Sequence, residues 1–407
     1  MSEQAHHGEH HHHHEHQEPE KTQLELAREE LEADSGFIDL IDTNFHRNGF
    51  LYPADELASA LSAYPATRPY APDPRGNPAT REAIAAYYRR RGLHVGSDQI
   101  IVTASASEGY NLVFNRMLEH DHTVALPRPV YPLFEFIAEF NGLEVEHYAL
   151  DLENGAQPNP TELRDSVSAN AGLLVAISPN NPTGTCLTRE SMEAIASLAR
   201  ERNLPILSDE VFSEFRYPPE SPPHVGPADL ADDVLCITLN GVSKMFASPD
   251  LKVSWLLVTG PEDLREELLS VLEIANDMYL NASSVSQSVV PLLFESGQTF
   301  REEMVSELAR RRDLCLRTLE RSTRLRPVVP TGGIHCILRV RPGASGLDEE
   351  HLDDEALAER ILRETKVYTH PGYLYDVDEE TALVMSFLKT PELLTEGLER
   401  LIRWFER

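Results

Sequence analysis

One lysine of the chain, Lys244 in the segment LNGVSKMFASPDLK, stands where its amine could act as a nucleophile. It follows the strand-like run VLCITLN and has apolar neighbours. Loss of hydration there, or the nearby charge of Lys252, would lower the pKa of the amine and keep part of it uncharged. An uncharged lysine amine can form a Schiff base with an aldehyde and can then move a proton as general base and acid. The alternative is a surface lysine without a chemical role.

Two further polar residues, Asp209 and Asn181, follow strand-like apolar runs. A carboxylate at the end of the buried strand in LSDEVF needs a partner. A protonated pyridine nitrogen would serve, and the ion pair would keep such a ring an electron sink; a structural salt bridge is the alternative. Asn181, in the turn of ISPNNPTG, offers a donor and an acceptor suited to a ring oxygen and a carboxylate. Alternatively, it only shapes its own turn.

A phosphate site and a stacking residue are also indicated. Ser105, Ala106 and Ser107 come where the strand QIIVT runs into a helix, so backbone N–H groups and the helix dipole could hold a phosphate. Serines also cap helices without binding anything. Tyr131, between prolines in VALPRPVYPLF, could stack on a flat heterocycle. The alternative for this tyrosine is an aromatic plug in the core.

The elements that must position these residues alternate between helices and short apolar strands. This alternation predicts an α/β fold with a mainly parallel sheet buried on both faces. Ligands of such sheets bind beyond the carboxyl ends of the strands, where the residues above are found. From about residue 300, long helical segments enclose a pair of strands near GGIHCILRV and ALVMSFL, which predicts a smaller α+β domain.

These segments, taken together and in this order, resemble the class I/II aminotransferases, which are fold-type I pyridoxal-phosphate enzymes. The resemblance runs from about Tyr70 to the C-terminus. It rests on eight segments: YAPDPRGNPATREAIAAYY, VTASASEG, PRPVYP, SPNNPTG, SDEVF, SKMFASPDLK, PTGGIHC and THPGYLY. It implies a large domain at 50–295 with a mainly parallel seven-stranded sheet, and a small domain built from 23–49 and 296–407.

The resemblance also implies roles for individual residues. Lys244 would form the Schiff base with pyridoxal phosphate, and Asp209 would pair with the pyridine nitrogen. Asn181 would hydrogen-bond the ring oxygen, and Tyr131 would stack on the ring. The phosphate would be bound by one group of residues: Ser105, Ala106, Ser107 and Lys252.

Tyr70 matches the family's tyrosine that reaches the phosphate of the neighbouring subunit. The resemblance therefore implies a homodimer with composite active sites.

Four positions depart from the family pattern. Phe212 replaces a frequent tyrosine, Gly241 a frequent serine, and Lys252 the usual arginine. Val384 stands where relatives carry the arginine that clamps the substrate carboxylate, two residues before SF. Other cations in segments that the family places near the site are Lys389, Arg339, His335, His46 and Arg47. The sequence does not choose among them.

Three functions are compatible with this pattern. The first is an aminotransferase that moves an amino group between an amino acid and a 2-oxo acid in two half-reactions. The second is a pyridoxal-phosphate-dependent lyase or cyclase on the same scaffold, for example one that catalyses β-elimination. The third is a non-catalytic binding protein, which the valine at position 384 would favour and the retained Lys244, Asp209 and Asn181 oppose.

Composition narrows the partners and the compartment. The formal net charge of −31 argues against nucleic acid as a partner. No apolar run is long enough for a membrane span, and the polar N-terminus lacks the apolar core of a secretory signal. The four cysteines show no paired spacing, so we expect a reducing, cytoplasmic location.

Residues 1–22 form a low-complexity segment rich in His and Glu. Such a composition has little to bury, so it predicts disorder. Metal capture by its imidazoles is the functional alternative. We assign no metal site elsewhere in the chain.

Overall fold

The computed structural model describes residues 21–34, 36–62, 64, 70–117, 122–280, 282–341, 353–377 and 381–407. Of the predicted tail 1–22, residues 1–20 lie outside the described residues.

The described residues form helices and strands in alternation. The helices are α1 Gln23–Asp34, α2 Ala54–Ser62, α3 Pro78–Arg90, α4 Ala106–Met117, α5 Leu133–Phe140, α6 Pro160–Ser166, α7 Arg189–Arg202, α8 Val242–Met245, α9 Glu262–Met278, α10 Ser284–Ser296, α11 Gln298–Leu319, α12 Asp354–Thr365 and α13 Pro391–Phe405. The strands are β1 Ile38–Asp39, β2 Ile100–Thr103, β3 Thr123–Arg128, β4 Glu144–Asp151, β5 Gln157–Pro158, β6 Ala171–Ile177, β7 Ile206–Asp209, β8 Cys236–Gly241, β9 Ser254–Thr259, β10 Leu325–Pro327, β11 His335–Val340, β12 Val367–Tyr368, β13 His370–Pro371 and β14 Ala382–Ser386.

The larger sheet has the strand order β2-β9-β8-β7-β6-β3-β4-β5. Strands β8, β7, β6, β3 and β4 are parallel, whereas β9 runs antiparallel to both of its neighbours. The seven predicted strands are therefore confirmed. The two-residue strand β5, antiparallel to β4, adds an eighth at the edge and is too short to show a periodic pattern.

This sheet is buried on both faces, which explains the uninterrupted apolar run of β6. Leu173 and Val175 belong to the apolar cluster on one face, where α4, α5 and α9 pack. Leu174 and Ala176 belong to the cluster on the opposite face, which includes residues of α6 and α7. Because successive side chains of a strand point to opposite faces, a doubly covered strand has no polar alternation.

A smaller antiparallel sheet has the order β10-β11-β14-β13. It contains the predicted pair, β11 and β14, with a short strand on either side. The N-terminal segment joins this part of the chain, because β1 pairs with β12 and α1 packs against α12. These contacts support our proposal that 23–49 and 296–407 form one domain beside the domain at 50–295.

Within the described ranges, no helix is at once long and apolar enough to cross a bilayer.

Candidate active site

A cavity of about 410 Å³ opens at the carboxyl ends of the large-sheet strands and extends to the small sheet. Eight of the nine predicted site residues line it: Ser105, Ala106, Ser107, Tyr131, Asn181, Asp209, Lys244 and Lys252. They converge because β2, β3, β6, β7 and β8 all end at one edge of the sheet. The ninth, Tyr70, is 76% exposed and does not line the pocket of its own chain.

The amine of Lys244 lies in apolar, aromatic surroundings. The lysine belongs to α8, the short helix that begins as soon as β8 ends at Gly241. Its Nζ is 5.6 Å from the ring centre of Phe45 and 5.8 Å from that of Phe212. Burial, assisted by the charge of Lys252, lowers the pKa of this amine. The surroundings therefore favour the uncharged form that a nucleophile or proton acceptor requires.

Asp209 ends β7 and is 3% exposed. Its Oδ1 accepts a hydrogen bond from the Val211 backbone N–H at 3.1 Å, and its Oδ2 accepts one from the Tyr110 hydroxyl at 2.9 Å. Burial raises the pKa of the carboxyl to about 6, although both hydrogen bonds act in the opposite direction. Within the described ranges no cationic side chain pairs with it, so the salt-bridge alternative finds no partner here.

The next residue, Glu210, shows what a structural salt bridge looks like in this fold. Its carboxylate lies 3.1 Å from Arg91 and 3.2 Å from His224, and these partners hold its pKa low, at about 2, despite burial. The two adjacent acids are thus chemically different. Of these two acids, Asp209 is the one that lines the pocket, and within the described residues no cationic side chain pairs with it.

The two asparagines of the turn after β6 also differ. Asn180 shapes the turn, because its Oδ1 accepts hydrogen bonds from the backbone N–H and the hydroxyl of Thr183 at 3.2 and 3.0 Å. Asn181 lines the pocket, and among the described residues its buried Oδ1 has no hydrogen-bond partner. A buried amide oxygen without a partner is costly, which marks it as a position for a ligand donor.

The serine segment forms the start of α4. The Ser105 hydroxyl accepts a hydrogen bond from the Glu108 backbone N–H at 3.0 Å, so this serine does cap the helix. The cap leaves the pocket-facing end of the helix available to an anion, since the first N–H groups of a helix lack intrahelical acceptors. Lys252 lines the same pocket, where a phosphate would find a positive charge.

Tyr131 sits at the pocket wall and is 37% exposed, so it is not a core plug. Its ring packs edge-on against Phe134, with 6.0 Å between ring centres. Phe134 in turn stacks on Tyr110 at 4.3 Å, and Tyr110 holds Asp209. An aromatic chain therefore connects the mouth of the pocket with its buried carboxylate.

With this geometry in place, comparison with known proteins identifies the family. Residues 54–401 match the family model of aminotransferase class I and II. The chain belongs to the class I and II aminotransferases. The alanine aminotransferase of Mycobacterium tuberculosis is 26% identical over 357 residues, which cover 87% of this chain and 82% of that protein.

Two further relatives support the assignment. The arginine–pyruvate transaminase of Pseudomonas aeruginosa is 29% identical over 353 residues, 86% of each chain. The solved structure of a double mutant of Thermus thermophilus aspartate aminotransferase is 26% identical, covers 93% of this chain and 95% of that one, and has a TM-score of 0.82. The predictions of a fold-type I fold and of a pyridoxal-phosphate-dependent aminotransferase are confirmed. The relatives give no support to the lyase or cyclase.

The pocket of this aminotransferase fits pyridoxal phosphate on three observations. A carboxylate without a cationic partner, at Asp209, suits a protonated ring nitrogen. The unpartnered oxygen of Asn181 suits a donor on the ring or the substrate. The desolvated amine of Lys244 suits an aldehyde.

A residue that sequence reasoning missed, Ser254, lies beside one of the departures from the family pattern, Gly241. A β-carbon on Gly241 would lie 2.3 Å from the Ser254 hydroxyl oxygen, so that hydroxyl fills the space a residue-241 side chain would take. Ser254 opens β9 directly opposite Gly241 and lines the pocket. The register between β8 and β9 shows that Ser254 lies opposite Gly241, and a local sequence motif could not have shown it.

The small-sheet end of the aminotransferase pocket was largely missed as well. Ile41, Thr43, His370 and Tyr375 line it, together with His335. The only sequence signal for His370 and Tyr375 was the segment THPGYLY, in which the sequence alone singled out neither residue.

Two of the five candidate cations for the substrate carboxylate pair with the same acid. Lys389 Nζ lies 3.1 Å from Asp42 Oδ2, and Arg47 lies 2.8 Å from Asp42 Oδ1. Together with a hydrogen bond from the Asn44 backbone N–H, these two contacts lower the pKa of Asp42 to about 2 despite burial. Neither cation lines the pocket.

Of the other three candidates, only His335 lines the pocket. Arg339 pairs with Glu153. The His46 ring nitrogen Nε2 lies 2.7 Å from the Ala247 carbonyl oxygen, within hydrogen-bonding distance.

Proposed function

We propose that this aminotransferase moves an amino group between an amino acid and a 2-oxo acid, with Lys244 as the residue that binds the cofactor aldehyde and transfers the proton. One observation carries the proposal. A lysine amine of lowered pKa and a buried carboxylate without a cation, Asp209, line the same pocket. Pyridoxal phosphate supplies an electron sink for the negative charge that develops when a substrate α-carbon loses its proton.

The chain's own residues would divide the work by position. Lys244 Nζ would accept the proton of the substrate α-carbon as general base and would later donate a proton as general acid. Asp209 would pair with the ring nitrogen, since a carboxylate beside that nitrogen favours its protonated form. The apolar rings of Phe45 and Phe212 exclude water around the amine.

The remaining pocket residues would bind and orient. Asn181 would hydrogen-bond the ring oxygen, and Tyr131 would stack on the ring. Phosphate binding would fall to the start of α4 and the nearby cation: Ser105, Ala106, Ser107 and Lys252. Support comes from the arrangement of these residues around one cavity.

Substitution of Lys244 by Ala tests the central proposal. Purified protein is titrated with a panel of amino acids and then with 2-oxo acids, while the cofactor absorbance is recorded. We expect the wild type to convert reversibly between the absorbance bands of the pyridoxal and pyridoxamine forms of the cofactor. Lys244→Ala should lose at least about a thousandfold in the rate of this conversion. General acid–base catalysis by one residue contributes about 10²–10⁴ in rate, and the covalent bond to the cofactor is lost as well. Lys21→Ala, at an exposed lysine paired with Glu29, is the control and should behave as wild type.

Two outcomes contradict this proposal. Equal rates in wild type and Lys244→Ala would remove Lys244 from the chemistry. Release of ammonia and an oxo acid, without conversion of the cofactor band, would replace transamination by elimination.

We also propose a homodimer in which Tyr70 reaches the partner's phosphate. Helix α9 buries one face, yet Val271, Ile274 and Met278 form an apolar stripe on its exposed face, and Ile274 and Met278 are 60% and 61% exposed. A helix that is apolar on both sides is typical of a buried element. The segment that carries Tyr70 lies against the same helix, since the Asn276 amide donates to the Pro74 carbonyl at 2.7 Å.

Sedimentation velocity tests the dimer. We expect a mass of two chains for the wild type and of one chain for the double variant Ile274→Glu and Met278→Glu, because two charges would have to be buried in the interface. Leu393→Glu is a control at an exposed leucine on a different helix, α13. A monomeric wild type at micromolar concentration would refute the dimer.

A cytoplasmic location stays a proposal too. The four cysteines are free and buried, which suits a reducing compartment. Cell fractionation would contradict it if the protein appeared outside the cytoplasm.

A further inference from the structure

The substrates of the proposed function raise a question about charge. An amino acid and a 2-oxo acid both carry a carboxylate, and a carboxylate that enters a largely enclosed pocket needs a cation or strong donors. Apart from histidines, the described residues that line the pocket include two basic side chains, Lys244 and Lys252. The proposed function assigns the first to the cofactor aldehyde and the second to its phosphate. The substrate carboxylate is left without a permanent partner.

The face of the small sheet that looks into the pocket supplies no further permanent charge. Val384 on β14 pairs with Ile337 on β11 and with His370 on β13. Residues directly opposite in antiparallel strands point to the same face, so these three form one row across the sheet. Val384 is fully buried and belongs to an apolar cluster with Ile337 and Tyr375, against which Ile41 packs. Apolar side chains therefore occupy the row beside His370.

His335 is the polar side chain that remains at this end. It lies on the same face as Ile337, two residues along β11, and opposite Ser386. It is 4% exposed, lines the pocket, and packs edge-on against Phe212 with 6.1 Å between ring centres. In the part of the chain that the structure describes, neither of its ring nitrogens has a hydrogen-bond partner. Buried polar groups are normally paired, so this imidazole is built for a ligand.

We propose that His335 binds the substrate carboxylate, with His370 as the second imidazole at that end of the pocket, and that one proton enters the site with each carboxylate. The inference rests on the proposed function, because it assumes that the pocket admits amino acids and 2-oxo acids. It names the specificity-determining group that the sequence left open.

The charges around the two imidazoles explain why the proton arrives with the ligand. Burial lowers the pKa of His335 to about 3, and the positive charges of Lys244 and His370 act in the same direction. Burial and the charge of Arg28 lower the pKa of His370 to about 4, and the Nδ1 of His370 lies 2.9 Å from the Tyr375 hydroxyl.

Both rings are therefore neutral at pH 7 until an anion arrives. The cations that face them, Lys244 from α8 and Arg28 from α1, oppose protonation, and Tyr375 is uncharged because burial raises its pKa. A carboxylate at hydrogen-bonding distance raises the pKa of an imidazole by favouring its charged form. Affinity for a carboxylate should then fall by up to about tenfold for each unit of rising pH above the pKa of the occupied site.

Calorimetry on the pyridoxal-phosphate-loaded enzyme tests this inference with isobutyrate, an unreactive carboxylate without an amino group. Titrations at pH 5.5 in two buffers of different ionisation enthalpy give the number of protons taken up. We expect about one proton per isobutyrate for the wild type, and no binding advantage for the uncharged amide isobutyramide. The cofactor absorbance, recorded in parallel, shows whether the Lys244 nitrogen takes the proton instead.

The variant His335→Gln keeps a hydrogen-bonding side chain but cannot be protonated. We expect its affinity for isobutyrate to fall by about ten- to a hundredfold, since hydrogen bonds to charged groups contribute more than neutral ones, and its proton uptake to vanish. KM for amino acids should rise more than kcat changes, because the lost contact binds the substrate equally well in the ground state and in the transition state. His335→Arg should restore affinity without proton uptake. His94→Gln, at an exposed histidine after α3, is the matched control.

The outcomes separate this inference from the proposed function. Unchanged isobutyrate affinity and proton uptake in His335→Gln, with normal amino transfer, would overturn the role of His335 alone. A change in the cofactor absorbance that matches the proton uptake would also overturn the role of His335, because the proton would then be on the Lys244 nitrogen. A wild type that transfers no amino group from any donor would refute the proposed function, whatever isobutyrate does.

Discussion

The two ends of the pocket are built on different principles. At the large-sheet end, Asp209, Asn181 and Lys244 stand just after consecutive parallel strands, where the topology brings them together. At the small-sheet end, Ile41, His335 and its neighbours come from segments about 300 residues apart in sequence. Their arrangement depends on the register of short antiparallel strands.

The ends also differ in charge. At the large-sheet end, burial shifts the pKa values of Asp209 and Lys244 in the direction that favours their uncharged forms, and within the described residues neither has an oppositely charged partner. The small-sheet end has a closed apolar row around Val384 and two neutral imidazoles. On the proposed assignment, the cofactor is held at the strand ends of the large sheet, whereas the substrate carboxylate is bound at the small sheet.

The largest expected effect that bears on this comparison comes from Asp209→Asn. The amide has the same shape, but its single oxygen can replace only one of the two acceptors that bind the Val211 N–H and the Tyr110 hydroxyl, and it carries no charge for a ring nitrogen. Breaking a buried ion pair costs about 3–5 kcal/mol, so we expect amino transfer to slow by about two to four orders of magnitude. Stopped-flow absorbance with a single amino acid donor measures this rate.

Tyr110→Phe is the graded control for that variant. It removes one hydrogen bond from Asp209 Oδ2 and leaves the charge, so a loss of only about tenfold is expected. If Asp209→Asn were as active as Tyr110→Phe, the carboxylate would not be paired with the cofactor. The large-sheet end would then be no better defined chemically than the small-sheet end.

The sequence predicted the large-sheet end well because local motifs decide it. All seven predicted strands are present, and eight of the nine predicted site residues line one cavity. The prediction that Tyr70 belongs to a neighbouring subunit's site cannot be assessed within one chain. The structure does separate Asn180, which shapes the turn, from Asn181, whose oxygen is free.

What the sequence could not predict depends on strand register and on packing. Ser254 takes up the space beside Gly241 only because β9 pairs antiparallel with β8 in one register. Choosing among five candidate cations required knowing that Lys389 and Arg47 share Asp42. No local pattern encodes these distances, because the partners lie far apart in sequence.

A smaller effect, on stability, sharpens the description of the small-sheet end. Burial lowers the pKa of His335 from its ordinary 6.5 to about 3, so the folded protein keeps this ring neutral while the unfolded chain protonates it below pH 6.5. Stability then falls as pH decreases from about 6.5 toward 3, because the unfolded state binds the extra proton. Between pH 7.5 and 5 this linkage amounts to at most about 2 kcal/mol.

Urea unfolding of cofactor-free protein at pH 7.5 and pH 5 measures the difference. His335→Gln should lose less stability on acidification than the wild type or the control His94→Gln, by up to about 2 kcal/mol. Burial raises the pKa of Asp209 from 3.8 to about 6, so protonation of this carboxyl increases the stability of the folded protein as pH falls from 6 to 3.8. This contribution is common to all three proteins and cancels in the comparison. An equal loss in His335→Gln and wild type would mean that the imidazole is already charged or exposed at pH 5. The small-sheet end would then hold a cation of its own, and a substrate carboxylate would need no incoming proton.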